Sequence, residues 1–129
     1  MKDHNITRRT VLGGMSTLAL TTWTGFARAV SSPAIFAYRN PGCGCCEKWA
    51  EQLKAAGFDV SMQDDPDLSA RRAAAGVPDD LAGCHTALMG DYVIEGHVPL
   101  ADIQRLLTEK PLIKGIAVPG MPTGSPGME

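Results

Sequence analysis

Ile35-Phe36-Ala37-Tyr38-Arg39-Asn40-Pro41-Gly42-Cys43-Gly44-Cys45-Cys46 is the stretch on which the reading of this chain turns. It follows Ala34 as a short apolar run to Arg39, whose Ile35, Phe36 and Tyr38 suit a strand. Asn40-Pro41-Gly42 is a turn. From near Cys45 the spacing becomes helical: Cys46, Trp49, Ala50, Leu53 and Ala56 recur at steps of three and four, and Gly57 caps the end. Three thiols therefore stand where a strand gives way to a helix N-terminus. Unpaired amide N–H groups and the helix dipole favour a thiolate there.

Downstream, Phe58, Val60 and Met62 alternate with polar residues as a second strand would. Asp65 reads as a cap and Pro66 as the first position of a weakly amphipathic helix that runs to Ala75 and stops at Gly76. His85 to Met89 and Tyr92 to Glu95 flank Gly90-Asp91, a hairpin turn. Pro99 opens a last helix with the stripe Leu100, Ile103, Leu106 and Leu107, and Pro111 ends it. Met62 and Met89 fall on strand patterns and are expected in the core. The order is βαβ-α-ββα. It predicts a single α/β domain of thioredoxin-like fold, a small mixed sheet flanked by helices, with the first two strands parallel through a right-handed crossover.

At the N-terminal side, residues 1–29 read as an export segment. Lys2, Arg8 and Arg9 form a basic head, Val11 to Phe26 carries no charge over 16 residues, and Ala27-Arg28-Ala29 offers small residues at the two cleavage-site positions. The apolar run is shorter than the roughly 20 residues of a spanning helix, which favours a removable signal over the alternative of a membrane anchor, and no stable membrane span is expected after signal removal. Thr7-Arg8-Arg9-Thr10-Val11-Leu12 resembles a twin-arginine signal, which predicts a bacterial periplasm, an oxidising compartment. Residues 30–117 are expected to form the metal-binding domain, and 118–129 a Gly/Pro/Met-rich tail too rich in Gly and Pro for helix or interior strand. Beyond residue 29, eight Lys and Arg face thirteen Asp and Glu, a balance with no cationic footprint for nucleic acid.

Cysteine placement carries the chemistry. Cys43, Cys45 and Cys46 lie within four residues, and Cys84 follows 38 residues after Cys46. Every pairing of four cysteines would place one bond inside the trio, where it closes almost no loop, so structural stapling explains the crowding poorly. Three soft thiolates in one turn suit Cu(I), which prefers sulfur. Zinc requires four ligands, which Cys43, Cys45, Cys46 and Cys84 could supply. On a thioredoxin-like fold, Cys84-His85-Thr86 before the third strand would face the trio, bringing a fourth thiol and an imidazole to it. Met121 in the tail is a further thioether candidate, Met128 and His97 weaker ones. The acidic groups near Asp64 and Asp79 lack a calcium-loop pattern and serve as caps and solvated faces.

Pro41 to Cys46, Cys84-His85-Thr86-Ala87, Tyr92 to Pro99 and Val118-Pro119-Gly120-Met121-Pro122 together resemble the CopG-like family associated with bacterial copper resistance. The resemblance runs from about Ile35 to Met128. It implies a periplasmic thioredoxin-like domain that binds copper through the three-cysteine motif and the later cysteine. Two function classes follow. One is a copper-handling protein in which Cys43, Cys45, Cys46 and Cys84, with His85 and Met121, hold Cu(I), its partners being copper ions and other periplasmic copper-handling proteins. The other is a thiol–disulfide or metal-ion oxidoreductase in which Cys43 attacks, Cys46 resolves, and Cys84 or Cys45 relays electrons. An iron–sulfur carrier is disfavoured, because C-x-C-C does not match the spacings of such clusters.

Overall fold

A computed structural model describes residues 31–129; the export-segment reading of residues 1–29 lies outside them. Among the described residues, five strands and three helices follow in the order β1 Ile35–Arg39, α1 Gly44–Ala55, β2 Val60–Asp64, α2 Leu68–Ala74, β3 His85–Met89, β4 Tyr92–Glu95, α3 Leu100–Glu109 and β5 Gly115–Ala117, with a 3-10 turn at Asp79–Leu81. They form one mixed sheet in the order β2-β1-β3-β4-β5. The βαβ unit pairs β1 and β2 in parallel, and the hairpin lies antiparallel beside β1. This is the thioredoxin-like arrangement that the element order predicts.

Two elements differ from the sequence reading. Pro66 does not start α2: the Asp65 carboxylate accepts the Asp67 N–H at 3.0 Å in a local turn, and Asp67 becomes the cap, accepting the Ala70 N–H at 3.1 Å. The fifth strand adds a parallel edge to β4. At three residues it is too short to show an alternating pattern.

The core forms where α1 and α3 press their apolar stripes on the sheet. Trp49 and Leu53 of α1, Ile103 and Leu106 of α3, and Ile35, Met89 and Ile94 of the strands are buried. Met89 belongs to this core, and Met62 packs partly buried against it. Trp49 also donates its indole N–H to the Val98 carbonyl at 2.9 Å. That bond ties α1 to the segment between β4 and α3, and so places His97 close to the start of α1.

Candidate metal centre

The cysteine trio occupies the first turn of α1. Gly42 takes a left-handed conformation, φ 77°, and Cys43, the N-cap, donates its N–H to the Asn40 carbonyl at 3.2 Å. Arg39, at the end of β1, donates to the Cys43 carbonyl at 2.9 Å while pairing with Asp64 at 2.7 Å and Glu47 at 2.8 Å. One guanidinium thus locks the turn to both β2 and α1. Three residues apart on the first turn, Cys43 and Cys46 have Cα atoms 5.6 Å apart and are joined as a disulfide. Cys45 is a free thiol, its Sγ 3.4 Å from that of Cys43 and 3.9 Å from that of Cys84.

Cys84 arrives from the loop that enters β3, the strand paired with β1. The loop before it is held by Glu95, a buried carboxylate that accepts from Arg72 Nε at 2.6 Å, the Gly83 N–H at 2.8 Å and the Thr86 hydroxyl at 2.6 Å. Arg72 also donates to the Gly83 carbonyl at 2.9 Å. Gly83 is packed so tightly on Gly96 that a Cβ there would stand 2.6 Å from the Gly96 Cα. This bracket was missed at the sequence level. Its one trace is a Glu closing the apolar strand Tyr92 to Glu95.

The four cysteines come together, with Sγ atoms all within 4.8 Å of one another. Burial, and next the neighbouring Cys45, push the Cys84 thiol up to about 12. A cation entering the cluster would have to displace its proton.

Behind the thiols lie two histidines. His85 is fully buried against Trp49, with ring centroids 4.1 Å apart, and meets His97 edge-on at 5.2 Å. Burial, and then the neighbouring His97, lower its pKa to about 3. His97 is also buried and donates Nδ1–H to the Pro126 carbonyl at 2.6 Å. Cys46, His85 and His97 each bring a ligand atom within 4.8 Å of the others.

The tail returns to the site. Gly83 and Gly120 form a parallel bridge, so Met121 follows in register with Cys84; its side chain is half exposed. Gly127 lies against α1 close enough that a Cβ would stand 2.8 Å from the Cys45 carbonyl oxygen. Met128 is partly buried, its N–H donating to the Ser125 carbonyl at 2.8 Å.

A thioredoxin-like sheet with a four-cysteine cluster at the start of its first helix and two buried histidines behind it defines a thiol-site protein of the thioredoxin-like class. Residues 81–128 match a family described as a protein of unknown function, DUF411. No curated protein matches the chain. A solved structure named copper resistance protein CopG, form 1, is 46% identical with a TM-score of 0.71, the match covering 76% of this chain and 78% of that one. Form 2 of the same protein is 44% identical over the same shares, again with a TM-score of 0.71. The chain belongs to the CopG copper-resistance family.

Proposed function

We propose that this chain is an exported, periplasmic protein that binds Cu(I) through Cys43, Cys45, Cys46 and Cys84, in copper handling or resistance. The observation that carries the reading is the convergence of four sulfurs within 4.8 Å from two elements far apart in sequence. Such a cluster exceeds what one Cu(I) needs, so more than one ion can be bridged by shared thiolates. His85 and Met121 flank the set as additional donors, and the copper-resistance relatives support the choice of metal. Export rests on the basic head and apolar run of residues 1–29. N-terminal sequencing of periplasmic protein should begin at Val30; retention of Met1 would point to an anchor instead.

The Cys43–Cys46 disulfide favours a second reading, a thiol or metal-ion oxidoreductase. Two thiols closing to a disulfide release two electrons and two protons, enough to reduce two Cu(II) to Cu(I). Cys45 separates the readings, because the exchanging pair does not need it while a multi-thiolate site does. Cys45→Ser should lower the Cu(I) bound per chain and leave the Cys43–Cys46 disulfide able to form and exchange. Unchanged copper binding with exchange abolished would reject the copper-site reading in favour of the oxidoreductase.

A further inference from the structure

The sheet ends on β5, which pairs with β4 on one side only. The Val93 N–H donates to the Lys114 carbonyl and the Val118 N–H to the Glu95 carbonyl, both at 2.9 Å. In a parallel ladder this register turns the Ile116 backbone toward β4 and points the N–H and C=O of Gly115 and Ala117 away from it. Neither residue makes a backbone hydrogen bond elsewhere among the described residues. The opposite edge, β2, is guarded by the exposed carboxylates of Asp59 and Asp64, whereas β5 carries no charge. A cleft of about 110 Å³ opens on the face that Gly115 and Ala117 share with Val93, walled by Val77, Pro78 and Leu81. A second, of about 260 Å³, lies on the Ile116 face between β5 and α3, walled by Leu106 and Ile113 and rimmed by Asp102, Arg105 and Glu109. Arg105 is paired with Glu109 at 2.7 Å, which leaves the Asp102 carboxylate without an ion-pair partner among the described residues. Of the five large apolar side chains that stand exposed there, Leu112 and Ile113 directly precede β5 and Leu81 faces it across the first cleft. Such clustering marks an interaction surface.

We infer that the free edge of β5 is a docking site for an extended segment of a partner protein, one in which aliphatic residues alternate with lysine or arginine. The inference goes beyond the copper-binding reading and does not rest on it. The outward amides and carbonyls of Gly115 and Ala117 match a backbone in strand conformation, and successive side chains of an added strand enter the two clefts in turn. The smaller, uncharged cleft takes an aliphatic side chain. The larger takes the stem of a lysine or arginine over Ile113, with its charge on Asp102. A second copy fits less well. Its β5 offers the smaller cleft only glycine and alanine, and its β2 edge would bring Asp64 toward Asp102. Beyond β5 the chain runs on to Gly120, which is bridged to Gly83, so the docked segment leads toward the loop that carries Cys84.

The test uses the full chain and two blocked synthetic peptides as probes, one of valine alternating with lysine and one of valine alternating with glutamate. Amide exchange is followed by NMR and affinity by titration. In the free chain the Ile116 N–H should exchange slowly and those of Gly115 and Ala117 fast. Excess lysine peptide should slow the latter two by about tenfold or more. It should bind about fivefold tighter than the glutamate peptide, a preference that Asp102→Asn should shrink. Ala117→Pro removes an N–H that β4 does not use, so it should keep the sheet and weaken the lysine peptide by about tenfold. Fast exchange at both amides in excess lysine peptide overturns the inference, as does an undiminished preference in Asp102→Asn or unchanged binding in Ala117→Pro. Protection of the two amides before any peptide is added also overturns it. If that protection grows with chain concentration the edge belongs to a second copy, and if it does not, to residues 1–30 of the same chain. Exchange in wild type decides the matter even if Ala117→Pro fails to fold.

Discussion

At the scale of single residues, Glu95 does more for the site than its place on a strand suggests. Its carboxylate is buried beside Arg72, whose side chain is itself mostly covered, and the pair brackets Gly83 immediately before Cys84. Removing one member of a buried ion pair leaves the other charge uncompensated, at a cost of about 3–5 kcal/mol. Glu95→Gln keeps the shape and an oxygen for the Gly83 N–H but loses the charge facing Arg72. It should destabilise the reduced chain by about 3 kcal/mol in urea unfolding. Because Cys84 rides on that loop, Cu(I) affinity should fall as well. A variant as stable as wild type would mean that the Arg72 charge is solvated rather than held by Glu95. Arg39 plays the corresponding part for the cysteine trio, though on a more exposed surface where ion pairs contribute less.

At the scale of elements, the tail behaves as a strap on α1. Gly127 has φ 88° and lies against the Cys45 carbonyl and the Trp49 N–H, so an added methyl meets both left-handed strain and backbone. Gly124 has φ 84° but open space around it. Gly127→Ala and Gly124→Ala therefore share the conformational cost, about 1 kcal/mol. Only the first adds a clash, for a total of about 2–3 kcal/mol. The difference between the two in urea or thermal unfolding measures the docking of the strap; equal losses would show that the strap does not bear on α1. Lifting it would also deprive His97 Nδ1–H of its acceptor. The edge strand β5 is packed with similar economy, since a Cβ on Gly115 would overlap the Val93 carbonyl of β4.

For the molecule as a whole, metal binding and folding are linked, because the four thiols converge only when α1 and the β3 entry loop are docked. A ligand that binds the folded chain alone stabilises it by about 2.7 kcal/mol at a hundred times its Kd. For a domain of this size that is a rise in unfolding midpoint of roughly 10–20 °C. Reduced chain with excess Cu(I) should show this rise, and the disulfide-bonded chain, with two of its four sulfurs committed, much less. Equal shifts in both states would place the bound copper away from Cys43 and Cys46. Much of this architecture was legible beforehand. The strand, turn and helix from Ile35 to Ala56, the hairpin around Gly90-Asp91 and the stripe from Leu100 to Leu107 are encoded by local periodicity, which states which face of an element is apolar. The cysteine trio at the head of α1 follows from the same local pattern. Tertiary structure alone decided what reaches that head from elsewhere: the distance from Cys45 to Cys84, the bracket of Arg72 and Glu95, the approach of His97 and the return of Gly127 onto α1. These contacts join residues tens of positions apart, and nothing in local spacing specifies them. They exist because the sheet order and the packing of helices upon it close those distances together, in one cooperative fold.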